Sequence, residues 1–120
     1  MQNTINWFEL FVTELPRAQA FYEKVLATTL RPEDSNGEAQ AIFGADGVAG
    51  ALVQRKGMKP GGGGTLVYLN CNGALDAVMA RVEKAGGKIV MPKTDIGPPG
   101  FIAVMVDTEG NSVGLHSERQ

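Results

Sequence analysis

The chain is poor in the residues that would reveal its chemistry at sight. Its single cysteine, Cys71, excludes an internal disulfide and any cysteine-rich zinc cluster. There is no run of lysine or arginine, and a net charge of −2 gives a nucleic acid no basic face to meet. No apolar stretch approaches the length that spans a bilayer, so no membrane partner is expected. Met1 leads into polar residues and then an amphipathic strand, without the charged-then-apolar segment of an exported chain. These absences set the expectation of a cytoplasmic protein. At 120 residues, 43% hydrophobic and 20% charged, the composition is that of an ordinary globular chain.

What is present is an internal repeat. The apolar spacing of Leu15, Ala18, Tyr22 and Val25 returns sixty residues later as Leu75, Val78, Val82 and Ala85, and Glu23-Lys24 returns as Glu83-Lys84. One such unit cannot bury its own apolar face, but two together can.

Residues 5–12 alternate as a strand, with Phe8, Leu10 and Val12 on one face and Trp7, Glu9 and Phe11 on the other. Thr13 or Glu14 is placed to cap a helix that accepts Pro16 in its first turn and runs to about residue 27. Short strands are predicted near 28–32, 39–44 and 48–55, with a turn at Ala45-Asp46-Gly47. The second copy opens with a strand over 65–69, then a helix from about 73 to 85 closed by Gly86-Gly87, then strands near 88–91, 101–107 and 112–117. Gly61 to Gly64 reads as a flexible joint between the copies. A phosphate-cradling loop is disfavoured there, because no Lys-Ser/Thr pair follows and a strand comes next.

The predicted fold class is α+β: two βαβββ modules, 5–55 and 64–117, joined by the linker 56–64 in one domain. Their sheets are expected to curve around a cleft. Residues 14–26, the paired βαβββ units and residues 107–115 resemble the vicinal oxygen chelate superfamily, whose members include glyoxalase I, extradiol dioxygenases and bleomycin-resistance proteins. Within it, residues 7–10, 90–101 and 114–117 are similar to a branch described only as related to lactoylglutathione lyase. The resemblance implies a homodimer that joins module edges. It also implies four inward positions that hold a metal in the metal-dependent members. In this sequence they fall on Trp7, Ala51, Thr65 and Gly114. None is a donor for zinc, nickel or ferrous iron, so neither a metal nor any other cofactor is expected.

The trough the resemblance implies would hold Trp7 as an aromatic wall, with Ala51 and Gly114 leaving space. Thr65, Val67 and Leu69 would share one face, and Ser112, Gly114 and His116 another. Glu9 and His116 are the ionisable groups that would point inward. Lys93 would reach an anionic ligand from beneath a lid at residues 95–100. Each of these also has a plain architectural reading: a packed tryptophan, a carboxylate paired with a basic side chain, a half-exposed histidine, a simple turn. Cys71 reads as a small buried hydrophobe. The expected function is metal-independent binding of a small organic molecule, with a resistance or sequestration role. Two alternatives stay open: a metal-free isomerase, epimerase or lyase with Glu9 as acid/base, assisted by His116 or Tyr68, and an accessory domain for a protein partner.

Overall fold

A computed structural model describes residues 5–35, 37–44 and 47–119. Met1 and the predicted turn positions Ala45 and Asp46 lie outside the described residues. The first copy is β1 (Trp7–Phe11), α1 (Leu15–Leu26), β2 (Arg31–Ser35), β3 (Glu38–Phe43) and β4 (Ala49–Val53). The second is β5 (Tyr68–Asn70), α2 (Leu75–Val82), β6 (Lys88–Asp95), β7 (Phe101–Val106) and β8 (Ser112–Ser117). Each copy forms a four-stranded mixed sheet, in the orders β1-β4-β3-β2 and β5-β8-β7-β6. The first strand of each runs parallel to the last. The α+β class and the repeat are both realised.

The repeat packs as its spacing requires. Leu15, Ala18, Tyr22 and Val25 on α1, and Leu75, Val78 and Val82 on α2, are all buried. They join Leu10, Val12, Leu69, Met105, Val113 and Leu115 in one hydrophobic cluster that draws on both copies. Each helix has a single apolar stripe and each sheet turns an apolar face toward it, so one shared core serves all four, while a smaller apolar cluster of Ile42, Ala51, Val53 and Phe11 lies on the other face of the first sheet.

Polar ties on this helix side lock the copies together. The Tyr22 hydroxyl donates to Asp107 Oδ2 at 2.7 Å, and Asn111 Nδ2 donates to the Phe11 carbonyl at 2.8 Å. Burial, then the Asp107 charge, holds the Tyr22 hydroxyl well above its usual pKa. The predicted α1 cap is corrected here. Glu14 occupies the cap position, but neither it nor Thr13 caps with its side chain. Glu109 from the other copy does so instead, accepting from the Thr13 and Glu14 N–H groups at 2.9 and 3.0 Å. Gln54 Oε1 accepts from Leu15 N–H at 3.0 Å. A long-range carboxylate thus meets the positive end of α1.

Two boundaries differ from expectation with consequences for the site. The strand predicted over 65–69 is only Tyr68–Asn70. Between strand and helix the second copy also carries one residue more than the first, accommodated by Gly73 at φ 75°. Leu69, which pairs with Leu115, is therefore the counterpart of Leu10, which pairs with Leu52. Counting back from the helix misses this shift, and a one-residue shift turns each side chain to the opposite face.

Candidate functional site

The outer face of the first sheet is closed by its own side chains. Trp7 is 43% exposed, and its Nε1 lies 3.4 Å from Glu9 Oε2. Glu9 is paired with Arg55 at 3.0 Å, and Arg55 also holds Glu38 at 2.7 Å while lying over the Phe11 ring. The Arg55 hydrogen bond pulls the Glu38 carboxyl below its usual pKa. Ala51, expected to leave space, is fully buried beside Ile42, Val53 and Phe11.

The outer face of the second sheet is closed differently. Ser112, Gly114 and His116 do share the face away from Val113 and Leu115. Gly114 leaves no room, however, because the Tyr68 ring lies across it where a Cβ would stand. His116 Nε2–H is positioned to donate to the Pro99 carbonyl at 2.7 Å. Val67 packs on the core and Leu69 is within it, so this pair belongs to the helix side rather than to the face of His116. Thr65 lies in the exposed segment before β5. Among the described residues no contact joins Glu9 to His116. Two cavities among the described residues are lined by none of Trp7, Glu9, Ala51, Gly114 and His116.

The larger cavity is a cleft of about 1220 Å³ between the copies, on the helix side. Phe8, Phe43 and Leu30 contribute from the first copy, Val67, Leu69 and Val78 from the second. The α1 helix ends at Ala27 in a left-handed turn (φ 52°), which sends Thr28 and Leu30 along its wall. Thr65 lines it, as do Tyr68, Cys71 and Arg81. Cys71 is 3% exposed, and burial raises its thiol pKa, so it behaves as a packed hydrophobe. Sequence reading missed Arg81 and placed Phe8 only on the strand face it shares with Leu10 and Val12. The signal for Arg81 was a charged residue at the border of the α2 stripe, between Val78 and Val82.

Lys93 belongs elsewhere, to a cavity of about 500 Å³ at the start of α2, where it pairs with Asp76 at 3.2 Å and lies over the Phe101 ring. The expected lid is tied down. Gly97 N–H donates to Asp95, Arg119 pairs with Asp95, and His116 holds Pro99. The Arg119 hydrogen bond draws the Asp95 carboxyl below its usual pKa.

The metal positions do not fit a metal. By register the counterpart of Trp7 is Leu66 rather than Thr65, and a set of Trp7, Ala51, Leu66 and Gly114 offers no imidazole, carboxylate or thiolate. Among the described residues no three His, Cys, Asp or Glu side chains gather to hold an ion. No helix among them is long and apolar enough to cross a membrane.

Comparison with known proteins agrees with this architecture. The chain is 29% identical to CFP32, provisionally named a glyoxylase, of Mycobacterium bovis and of Mycobacterium tuberculosis, over 95% of its own length. It spans only 45% of the length of those relatives. A glyoxalase/bleomycin resistance protein from Albidiferax ferrireducens superposes with a TM-score of 0.80 at 16% identity, covering 97% of this chain and 100% of that one. TnmS3, an antibiotic binding protein from Streptomyces, superposes at 0.66 with 21% identity, covering 98% of this chain and 97% of that one. Residues 4–115 match the family model, and with the two βαβββ units they establish that the chain belongs to the Glyoxalase/Bleomycin resistance protein/Dioxygenase superfamily.

Proposed function

We propose that this protein binds a small organic molecule without a metal, in the cleft between its two copies. The cleft itself carries the reading. It is concave, about 1220 Å³ in volume, and walled mainly by aromatic and aliphatic side chains with a few polar groups among them, as small-molecule sites are. The donor-free metal positions support metal independence, and the antibiotic binding of TnmS3 supports sequestration as the purpose. The lone buried Cys71 thiol suits the cytoplasm. Nothing observed favours the Glu9-based enzyme, because Glu9 is engaged by Arg55 and His116 by Pro99.

We further propose that the working unit is a homodimer joined at β1 and β5. These are free sheet edges, flanked by exposed Ile5 and Trp7 on one and by Leu66 and Tyr68 on the other. Both edges belong to one chain whose copies are already locked through their helices, so each can meet its complement only on a second copy.

A thermal-shift screen against metabolites and antibiotics tests the binding reading. A ligand that occupies the native cleft must raise the melting temperature, and EDTA must leave it unchanged. A screen without hits, or a stoichiometric transition metal in the purified protein, would defeat this reading.

A further inference from the structure

We propose that the ligand of the cleft is an organic oxyanion with an apolar body, its charged head held by Arg81. This rests on the cleft being a small-molecule site and adds the ligand's chemical class. Five arginines occur in the sequence, and four of them bind carboxylates: Arg17, Arg31, Arg55 and Arg119. Arg81 makes no ion pair among the described residues. Its Nε–H donates to the Val25 carbonyl at 2.9 Å, which fixes the guanidinium and leaves both Nη groups without an acceptor among those residues.

Arg81 is also the single charged side chain lining the cleft among the described residues, beside walls such as Phe8, Leu30, Phe43 and Leu69. A guanidinium in apolar surroundings acts more strongly on a partner charge than it would in water. Its planar fork matches an oxyanion through two parallel hydrogen bonds. A guest without an acceptor would displace water from those N–H groups and return nothing, and a neutral acceptor would return a weaker bond than a charged one. A cationic guest would be repelled. The apolar walls fix the other half of the ligand: a flat or branched hydrocarbon body.

Two dyes that differ by one group test this: 8-anilinonaphthalene-1-sulfonate and its neutral analogue N-phenyl-1-naphthylamine. Fluorescence titration of the full chain should give the sulfonate an affinity at least about tenfold higher, with added salt weakening the sulfonate alone. In Arg81→Gln the two dyes should bind within about twofold of one another, and Arg81→Lys should recover part of the preference. If Arg81→Gln fails to fold, the wild-type dye pair, its salt dependence and Arg81→Lys still decide the matter. Equal affinity of the wild type for both dyes, or a preference that survives Arg81→Gln, overturns the oxyanion while the cleft remains a binding site. Binding of neither dye overturns both.

Discussion

The helix side of the molecule and the outer faces of its sheets handle polar groups in opposite ways. On the helix side the ties cross between copies: Tyr22 to Asp107, Asn111 to the Phe11 carbonyl, Glu109 to the start of α1. On the outer faces they stay within a copy: Glu9 and Glu38 on Arg55, His116 on Pro99. The same division appears at the sheet edges. β2 carries Arg31, Pro32, Glu33 and Asp34, and β6 carries Pro92 with two register shifts, devices that blunt an edge against pairing. β1 and β5 have no proline and no register shift. The copies are thus fixed to one another through their helices, and the β1 and β5 edges, where we propose the dimer to form, stay unpaired within the chain.

The most damaging test of this contrast is Asp107→Ala. It leaves the buried Tyr22 hydroxyl, the Asn111 amide and the Glu109 and Asn111 N–H groups short of an acceptor. A loss of about 4 kcal/mol is expected, lowering Tm by roughly 15 °C. A loss below about 1 kcal/mol by denaturant titration would mean that this seam does not hold the copies together.

Next in size is the bare edge. Trp7→Lys with Tyr68→Lys should turn a dimer into a monomer in light scattering, with a dissociation constant raised at least about thirtyfold for about 2 kcal/mol lost. Lysine at Glu33 of the blunted β2 edge should change nothing. A wild type that is already monomeric at micromolar concentration would break the distinction between the two kinds of edge.

Much of the fold was legible because its signals are local. The stripes of α1 and α2, the alternation in β1 and the sixty-residue repeat each fix an element from its own residues. The candidate cleft was legible only at Thr65 and Val67, for two physical reasons. One inserted residue near Gly73 reverses which face of β5 looks outward, and nothing in residues 65–69 announces it. The partners of the candidates also come from far along the chain: Arg55 for Glu9, Pro99 for His116, and Tyr68 as the cover of Gly114. Residue type alone says that Trp7, Ala51 and Gly114 carry no imidazole, carboxylate or thiolate, whereas the cleft around Arg81 takes shape only once both helices are in place.

The seam also has a pH signature. The Glu109 side chain has no exposed surface, and its burial alone would raise the pKa. Hydrogen bonds from Arg17 and from the Glu14 and Thr13 N–H groups outweigh burial and hold the carboxyl at about 2, against 4.5 for an ordinary glutamate. The folded pKa lies below the unfolded one, so the stabilisation is complete above the unfolded value and is lost as pH falls from there through about 2. At neutral pH, Glu109→Gln should cost about 2 kcal/mol, allowing for the solvent around Arg17, and the gap to wild type should close with acidification. Parallel curves of stability against pH would show that Glu109 is not protonated more easily on unfolding.

The smallest expected effect is on the outer face. Glu9 and Arg55 keep 26% and 33% of their side-chain surface, so their pair works against solvent screening. Glu9→Gln retains an acceptor for Arg55, and Glu38 remains to hold the guanidinium at 2.7 Å. The melting temperature should move by less than about 4 °C. Binding of 8-anilinonaphthalene-1-sulfonate should be unaltered, since Glu9 does not line the cleft. A Glu9→Gln protein that folds as well as wild type but binds the dye about tenfold more weakly, some 1.4 kcal/mol, would relocate the ligand to the outer face of the first sheet. With it would go the division between a working helix side and a closed outer one.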